Sequence, residues 1–426
     1  MTPTADARAA AERAARQHYG RLLSWLAWQW RDIAGAEDAL GEAFARALVR
    51  WPADGVPDAP QAWLLAVARR ELLLAARRQR LADDPALRVL FPTDADASPA
   101  PQAVPDERLR LMFVCAHPAI AADVRSALML QVVLGLDAAR VASAFLVKPE
   151  AMGKRLSRAK AKIKETGIRF DEPEARELPE RVAAVLEAVY GAYTLHWGDV
   201  DDAARGQLAD EALYLAELVA AHLPRQPEAL GLAALLGLCE ARRAASRDAR
   251  GAFVPLDEQD PACWNAALEQ RANASLARAA ALASPGPYQL EACIQAAHMH
   301  GRRTGAAPWD AIATLYAALL QLAPSVGARI GQAVAVARST NDPAAGLALL
   351  DALDTAQVAQ HQPWWAARAH LLAAQGRHVE AIEAYGRALA LTAQPALRDW
   401  LAGRLAAQAD VKADAQADAQ SRMSAR

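Results

Sequence analysis

The stretch DAARVASAFLVKPEAMGKRLSRAKAKIK, from Asp137 to Lys164, constrains this chain more than any other. It reads as a short helix, a tight turn at Leu146-Val147-Lys148-Pro149, and a second helix. Pro149 suits the first helical position, where no N–H is needed. Val141, Ala142, Phe145, Met152 and Leu156 fall at spacings that bury one side of each helix against the other. Lys148, Lys154, Arg155, Arg158, Lys160, Lys162 and Lys164 are left for the outside. An apolar seam with a cationic outer face on the second helix is what a helix-turn-helix needs to enter a major groove. A solvated amphipathic helix in an all-α protein is the alternative.

The rest of the chain supports an all-α fold. Its hydrophobic fraction is 54% with only 6% aromatics, because alanine dominates, and alanine is the best helix former. No run of alternating β-branched residues calls for a sheet. The net charge of −2 conceals a division: residues 1–170 carry +6 and residues 171–426 carry −8. Nucleic acid, if bound, therefore belongs to the first half. Cys115, Cys239, Cys263 and Cys293 form no CxxC pair, which points to buried thiols in a reducing compartment. Cys115 and His117 lack the two further ligands that a structural zinc needs. There is no signal-peptide pattern and no apolar run of membrane-spanning length, so a cytoplasmic protein without membrane contact is expected.

Along the chain, residues 8–50 read as two helices with an apolar face that includes Trp25, Leu26, Ile33, Leu40, Phe44 and Leu48. A third helix runs from about Pro60 to Leu81, with Trp63, Leu64, Val67, Leu72 and Leu74 directed inward. Arg69, Arg70, Arg77, Arg78 and Arg80 form a second basic stripe on it. Residues 86–106 are rich in Pro, Asp and Ala and read as a linker, with a short ordered piece at Leu87–Phe91. The helix-turn-helix domain spans 107–170, and a helical-repeat extension spans 175–410. Within the extension Trp365, Ala369, Gly376, Ala381, Tyr385 and Ala388 stand at the small-and-large spacing of a tetratricopeptide helix pair. The tail over 411–426 reads as disordered.

Together these pieces resemble an extracytoplasmic-function sigma factor, of the group with a long C-terminal tetratricopeptide-like extension. The segment AEDALGEAFARALVRWPADGVPDAPQAWLLAVARR, at 36–70, is similar to sigma region two, here given residues 1–85. The segments DERLRLMFVCAHPAIAADVRSALMLQVVLGL and VASAFLVKPEAMGKRLSRAKAKIKETGIRF are similar to region four. The extension segment PEALGLAALLGLCEARRAASRDARGAFVPLDEQDPACW completes the likeness. The resemblance implies a subunit that binds core RNA polymerase and both double-stranded and melted promoter DNA, without a cofactor. It places Asp38, Glu42 and Phe44 on the polymerase. It places Trp63, Arg69, Arg70, Arg77 and Arg78 at the minus-ten element. It places Glu150, Met152, Lys154, Arg155 and Arg158 at the minus-thirty-five element. It also implies that the extension is regulatory and can engage a protein regulator.

The chain departs from the family at Gly41, where glutamine is usual, and at Arg70 and Leu74, where Asn and Asp are common. It departs again at Cys115-Ala116, where cysteines are paired, and at Asp137-Ala138-Ala139-Arg140, which replaces Thr-Thr-Glu. The main rival is a helical-repeat scaffold that binds proteins and not DNA. An enzyme is disfavoured: there is no Gly-rich phosphate loop after a strand, no HExxH and no GxSxG. His196, His298 and His300 lie in helical surroundings and read as packed or exposed histidines.

Overall fold

The structure is a computed structural model and describes residues 3–83, 106–145, 147–171, 173–195 and 202–424. All regular structure in these residues is helical, apart from an isolated bridge between Arg247 and Phe253. The chain divides into two compact units, Met1–Leu195 and His196–Arg426. The expected linker over 86–106 and its ordered piece lie outside the described residues, save for Asp106.

In the first unit α1 (Pro3–Trp30), α2 (Ile33–Asp54) and α3 (Pro60–Asp83) pack on one another. Asp32 caps α2, accepting from Gly35 N at 3.0 Å. Leu22, Leu23, Leu26, Leu40, Leu64 and Leu65 make the fully buried centre. Leu48, expected in this core, is 49% exposed, because the buried stripe of α2 runs through Ala39, Ala43 and Ala47 instead.

The next helices are α4 (Arg108–Cys115), α5 (Ala122–Val132), α6 (Ala138–Ala144) and α7 (Pro149–Glu165). Asp137 caps α6 by accepting from the backbone N–H groups of Ala139 and Arg140, and Pro149 opens α7 as expected. Val141, Ala142, Met152 and Leu156 are buried between the two helices, but Phe145 is 36% exposed. Helix α6 stops at Ala144, so Phe145 leaves the helical period that would have turned it inward.

These helices pack against α1–α3 within one unit. At Gly20 of α1 the approach is so close that an added Cβ would stand 1.9 Å from the carbonyl oxygen of Val133. Gly20→Ala should therefore force a backbone shift and cost about 1–3 kcal/mol, measurable as a lowered urea midpoint with an unchanged slope.

The sequence places the start of the extension at 175; the first compact unit runs on to Leu195. Helix α8 (Leu178–Leu195) belongs to the first unit and packs on α4 and α5. Buried Arg181 donates to the Phe113 carbonyl at 3.2 Å, and Arg125 pairs with Glu180 at 2.6 Å. The break around Gly167 and Pro173 is a loop inside a unit.

The second unit is a run of helices: α9 (Asp202–His222), α10 (Pro227–Ala241), α11 (Ala266–Ala281), α12 (Pro287–Thr304), α13 (Trp309–Leu322) and α14 (Val326–Ser339). It continues with α15 (Pro343–Asp351), α16 (Thr355–Val358), α17 (Gln362–Ala374), α18 (His378–Ala390) and α19 (Pro395–Ser424). Most packing is between helices adjacent in sequence, the nearest-neighbour arrangement of a repeat stack. Gly376 turns α17 into α18 at φ +72°, and Ala369 and Ala381 are fully buried where those helices close on each other. The tail expected to be disordered after Asp410 instead continues α19 to Ser424. Its alanines favour helix, and they outweigh the polar composition that suggested disorder.

Candidate nucleic-acid interface

Helix α7 sorts its side chains into an inner stripe and an outer row. Met152, Leu156, Ala159 and Ile163 are buried, at spacings of four, three and four. Met152, placed by family resemblance at a promoter element, is 1% exposed and belongs to this packing stripe. Lys154, Arg158 and Lys162 are exposed at four-residue spacing, within about 80° of one another around the helix. Glu150 is exposed in the first turn, where a carboxylate suits the helix dipole. The family resemblance does not single out Lys162, although its spacing from Lys154 and Arg158 is visible in the sequence.

The cations flanking this row are engaged within the unit. Lys160 pairs with Glu37 of α2 at 2.5 Å, with side chains only 10% and 18% exposed. One turn on, Lys164 reaches Asp32 at 2.7 Å, the same residue that caps α2. On the other flank Arg155 meets Asp123 at 3.5 Å, an exposed pair that contributes little to stability. Burial raises the carboxyl pKa of Glu37 above its ordinary value; the charge and hydrogen bond of Lys160 pull it back, and Asp38 pushes it up. The thiol of Cys115 and the phenol of Tyr19 are also pushed up, by burial first and by the charge of Glu37 second. Cys115 is thus a buried thiol within electrostatic reach of the Lys160–Glu37 pair.

A second surface lies between α2 and α3. A groove of about 490 Å³ is lined by Glu42, Arg46, Val49, Trp63, Val67 and Arg70. Arg46 bridges the two helices, meeting Glu42 at 2.9 Å and Glu71 at 2.7 Å. Trp63 stands edge-on to Trp51 with ring centres 5.6 Å apart. Asp38 and Gly41 are exposed and Phe44 is half-buried. A Cβ at Gly41 would meet nothing within 4 Å, so packing does not explain a glycine there. Val49, 76% exposed beside this groove, carries no signal in the sequence that marks it as a site residue.

The basic stripe of α3 is divided. Arg70 and Arg78 are exposed and Arg77 is half-buried. Arg69 is half-buried and lies over the Trp25 ring, 5.6 Å from its centre, so packing takes part of its side chain. The Arg80 side chain lies outside the described residues. Among the described residues no group of three or more His, Cys, Asp or Glu side chains is arranged to hold a metal ion, and no helix is long and apolar enough to cross a membrane.

These surfaces belong to an all-helical chain with a sigma-factor-like region. Over 148 residues it is 35% identical to the probable RNA polymerase sigma factor RfaY of Xanthomonas campestris pv. campestris, a match covering 33% of this chain and 36% of that protein. The chain belongs to the same family as the uncharacterized protein R00370 of Rhizobium meliloti strain 1021, to which it is 36% identical over 399 residues, 92% of this chain and 93% of that protein. Residues 181–280 also match a family model described as a family of unknown function, DUF6596. No solved structure matches the chain.

Proposed function

We propose that the chain is a sigma-type subunit that binds core RNA polymerase, directs promoter-specific transcription initiation, and is regulated through its helical extension. The observation that carries this reading is the row Lys154, Arg158 and Lys162, which leaves an unbroken cationic edge on α7. Cations in such a row would track phosphates, and those nearest the helix N-terminus would reach base edges. The likeness to a probable sigma factor supports the same reading. The groove beside Trp63 and Arg70 offers a ring and a charge to melted DNA. Asp38 and Glu42 supply the acidic face for polymerase. The action is binding without chemistry and needs no cofactor.

Two experiments test separate parts of this reading. Asp38→Lys/Glu42→Lys should reduce co-purification with core polymerase, while thermal unfolding shifts little, because both residues are exposed, the lost Glu42–Arg46 pair is a surface one, and Arg46 keeps Glu71 across the helices. Retention of polymerase by this variant would remove α2 from the contact. Truncation tests the extension, and the cut must follow Leu195. A chain ending at 174 loses α8 and with it the Glu180 partner of Arg125, so it should unfold at lower temperature than one ending at Leu195. A stable Leu195-terminated chain that drives more transcription than the full chain would make the extension inhibitory. Less transcription would make it an activator. The scaffold reading rests on the repeat stack of the second unit, and predicts that neither chain binds promoter DNA.

A further inference from the structure

The second unit contains a cavity that the sigma-type reading does not use. It has a volume of about 430 Å³, and its lining includes Asp257, His298, Arg302, Trp309, Arg338 and His370. That volume lies in the range of small-ligand sites. The two arginines set it apart. Many arginines of this unit are paired with carboxylates: Arg303 with Glu269, Arg368 with Asp351, Arg377 with Glu380 and Arg404 with Glu258. Among the described residues Arg302 and Arg338 make no ion pair. Neutral groups orient them instead. Arg302 donates from Nε to the Gln259 carbonyl at 2.6 Å. Arg338 lies over the Trp309 ring, 5.1 Å from its centre. Their charges are positioned without a direct ion pair, two arginines against the single carboxylate, Asp257, of the same lining.

The other walls narrow the ligand. Trp309 is itself held edge-on by His298, with ring centres 5.5 Å apart, and gives the cavity a rigid flat side. Burial, and secondarily the charge of Arg242, lower the pKa of His298 against the opposing pull of Asp257. A histidine so placed supplies a hydrogen-bonding nitrogen near neutral pH and not a third positive charge. Asp257 repels anions, and repels a dianion about twice as strongly as a monoanion. We infer that this cavity binds a small organic carboxylate with a flat apolar body, its carboxylate on Arg302 and Arg338 and its body against Trp309. A donor group on the far side of the ligand would meet Asp257. Helical surroundings alone suggest a packed or exposed histidine at His298; in the structure it lines a cavity.

Titration calorimetry on the full chain tests this with benzoate, 4-aminobenzoate and inorganic phosphate as probes. Saturable binding of the two carboxylates is expected, with 4-aminobenzoate the tighter. Arg338→Gln should weaken it by at least about tenfold, as expected for loss of a charged hydrogen-bond partner. Arg377→Gln, a change at a paired surface arginine, should leave it unchanged. Asp257→Asn should tighten benzoate binding severalfold, a gain that misfolding cannot produce. No saturable carboxylate binding to the folded wild-type chain would overturn the inference. So would tighter binding of phosphate, or equal losses in Arg338→Gln and Arg377→Gln.

Discussion

The triple substitution Lys154→Ala/Arg158→Ala/Lys162→Ala is expected to weaken promoter binding by about 10²–10³-fold at about 0.1 M salt, with the slope of log affinity against log salt reduced by about 2.7. Both values follow from about 0.9 in slope for each phosphate left without its cation, accumulated over the decade of salt below 1 M. The weakening should be similar across promoter sequences where the three cations meet phosphates. A position that reads a base would add about 1–3 kcal/mol of sequence-dependent loss. All three residues are exposed on α7, so stability should change by less than about 0.5 kcal/mol each. Gel-shift titrations at several salt concentrations, alongside thermal unfolding, read both quantities. A variant that binds with the wild-type salt slope would take α7 off the phosphates.

Glu37→Leu should destabilise the first unit by about 3–5 kcal/mol, because it leaves the Lys160 ammonium buried without its partner. The geometry behind this is the 2.5 Å pair with side chains 10% and 18% exposed. Yet the pair need not stabilise the fold in net. The Glu37 carboxyl pKa lies above its ordinary value, so burial disfavours its charge more than Lys160 rewards it. The double variant Glu37→Leu/Lys160→Met should thus recover most of the loss. Urea unfolding of the two single variants and the double variant gives the coupling directly. If the pair chiefly fixes how α7 lies on α2, the double variant will be stable but will transcribe differently.

Much of the segment from Asp137 to Lys164 is legible in the sequence because its signals are local. Val141, Met152 and Leu156 keep the helical period, and Pro149 marks the start of α7. Sequence and structure part where local rules give way. Phe145 follows the period but lies one residue beyond α6. Leu48 is apolar yet sits on the open face of α2, because small alanines allow α2 to pack closely along another stripe. The tail composition argues for disorder, while its alanines continue α19. That the first unit runs on to Leu195 is not legible, because the residues that fix α8 to α4 and α5, Arg125 and Arg181, act across the Gly167–Pro173 break.

The candidate site is legible to the same degree. The outer row of α7 follows from four-residue spacing, which also reveals Lys162. The Lys160–Glu37 pair does not, since the two residues are 123 positions apart and neither sequence neighbourhood marks the other. The cavity in the second unit is equally hidden: Asp257, His298, Arg338 and His370 come from separated segments of the stack. In sequence Arg69 is one more cation on a stripe; only the fold brings Trp25, from another helix, beneath it.

Run-off transcription decides whether this chain directs initiation by RNA polymerase, as proposed. Core RNA polymerase would be combined with genomic promoter fragments, including the region upstream of the gene encoding this chain, with and without the full-length protein and the Leu195-terminated form. A discrete transcript is expected that requires one of the two forms and disappears with the α7 triple variant. No transcript from either form, together with no binding to core polymerase, would contradict it and leave a helical-repeat scaffold in its place.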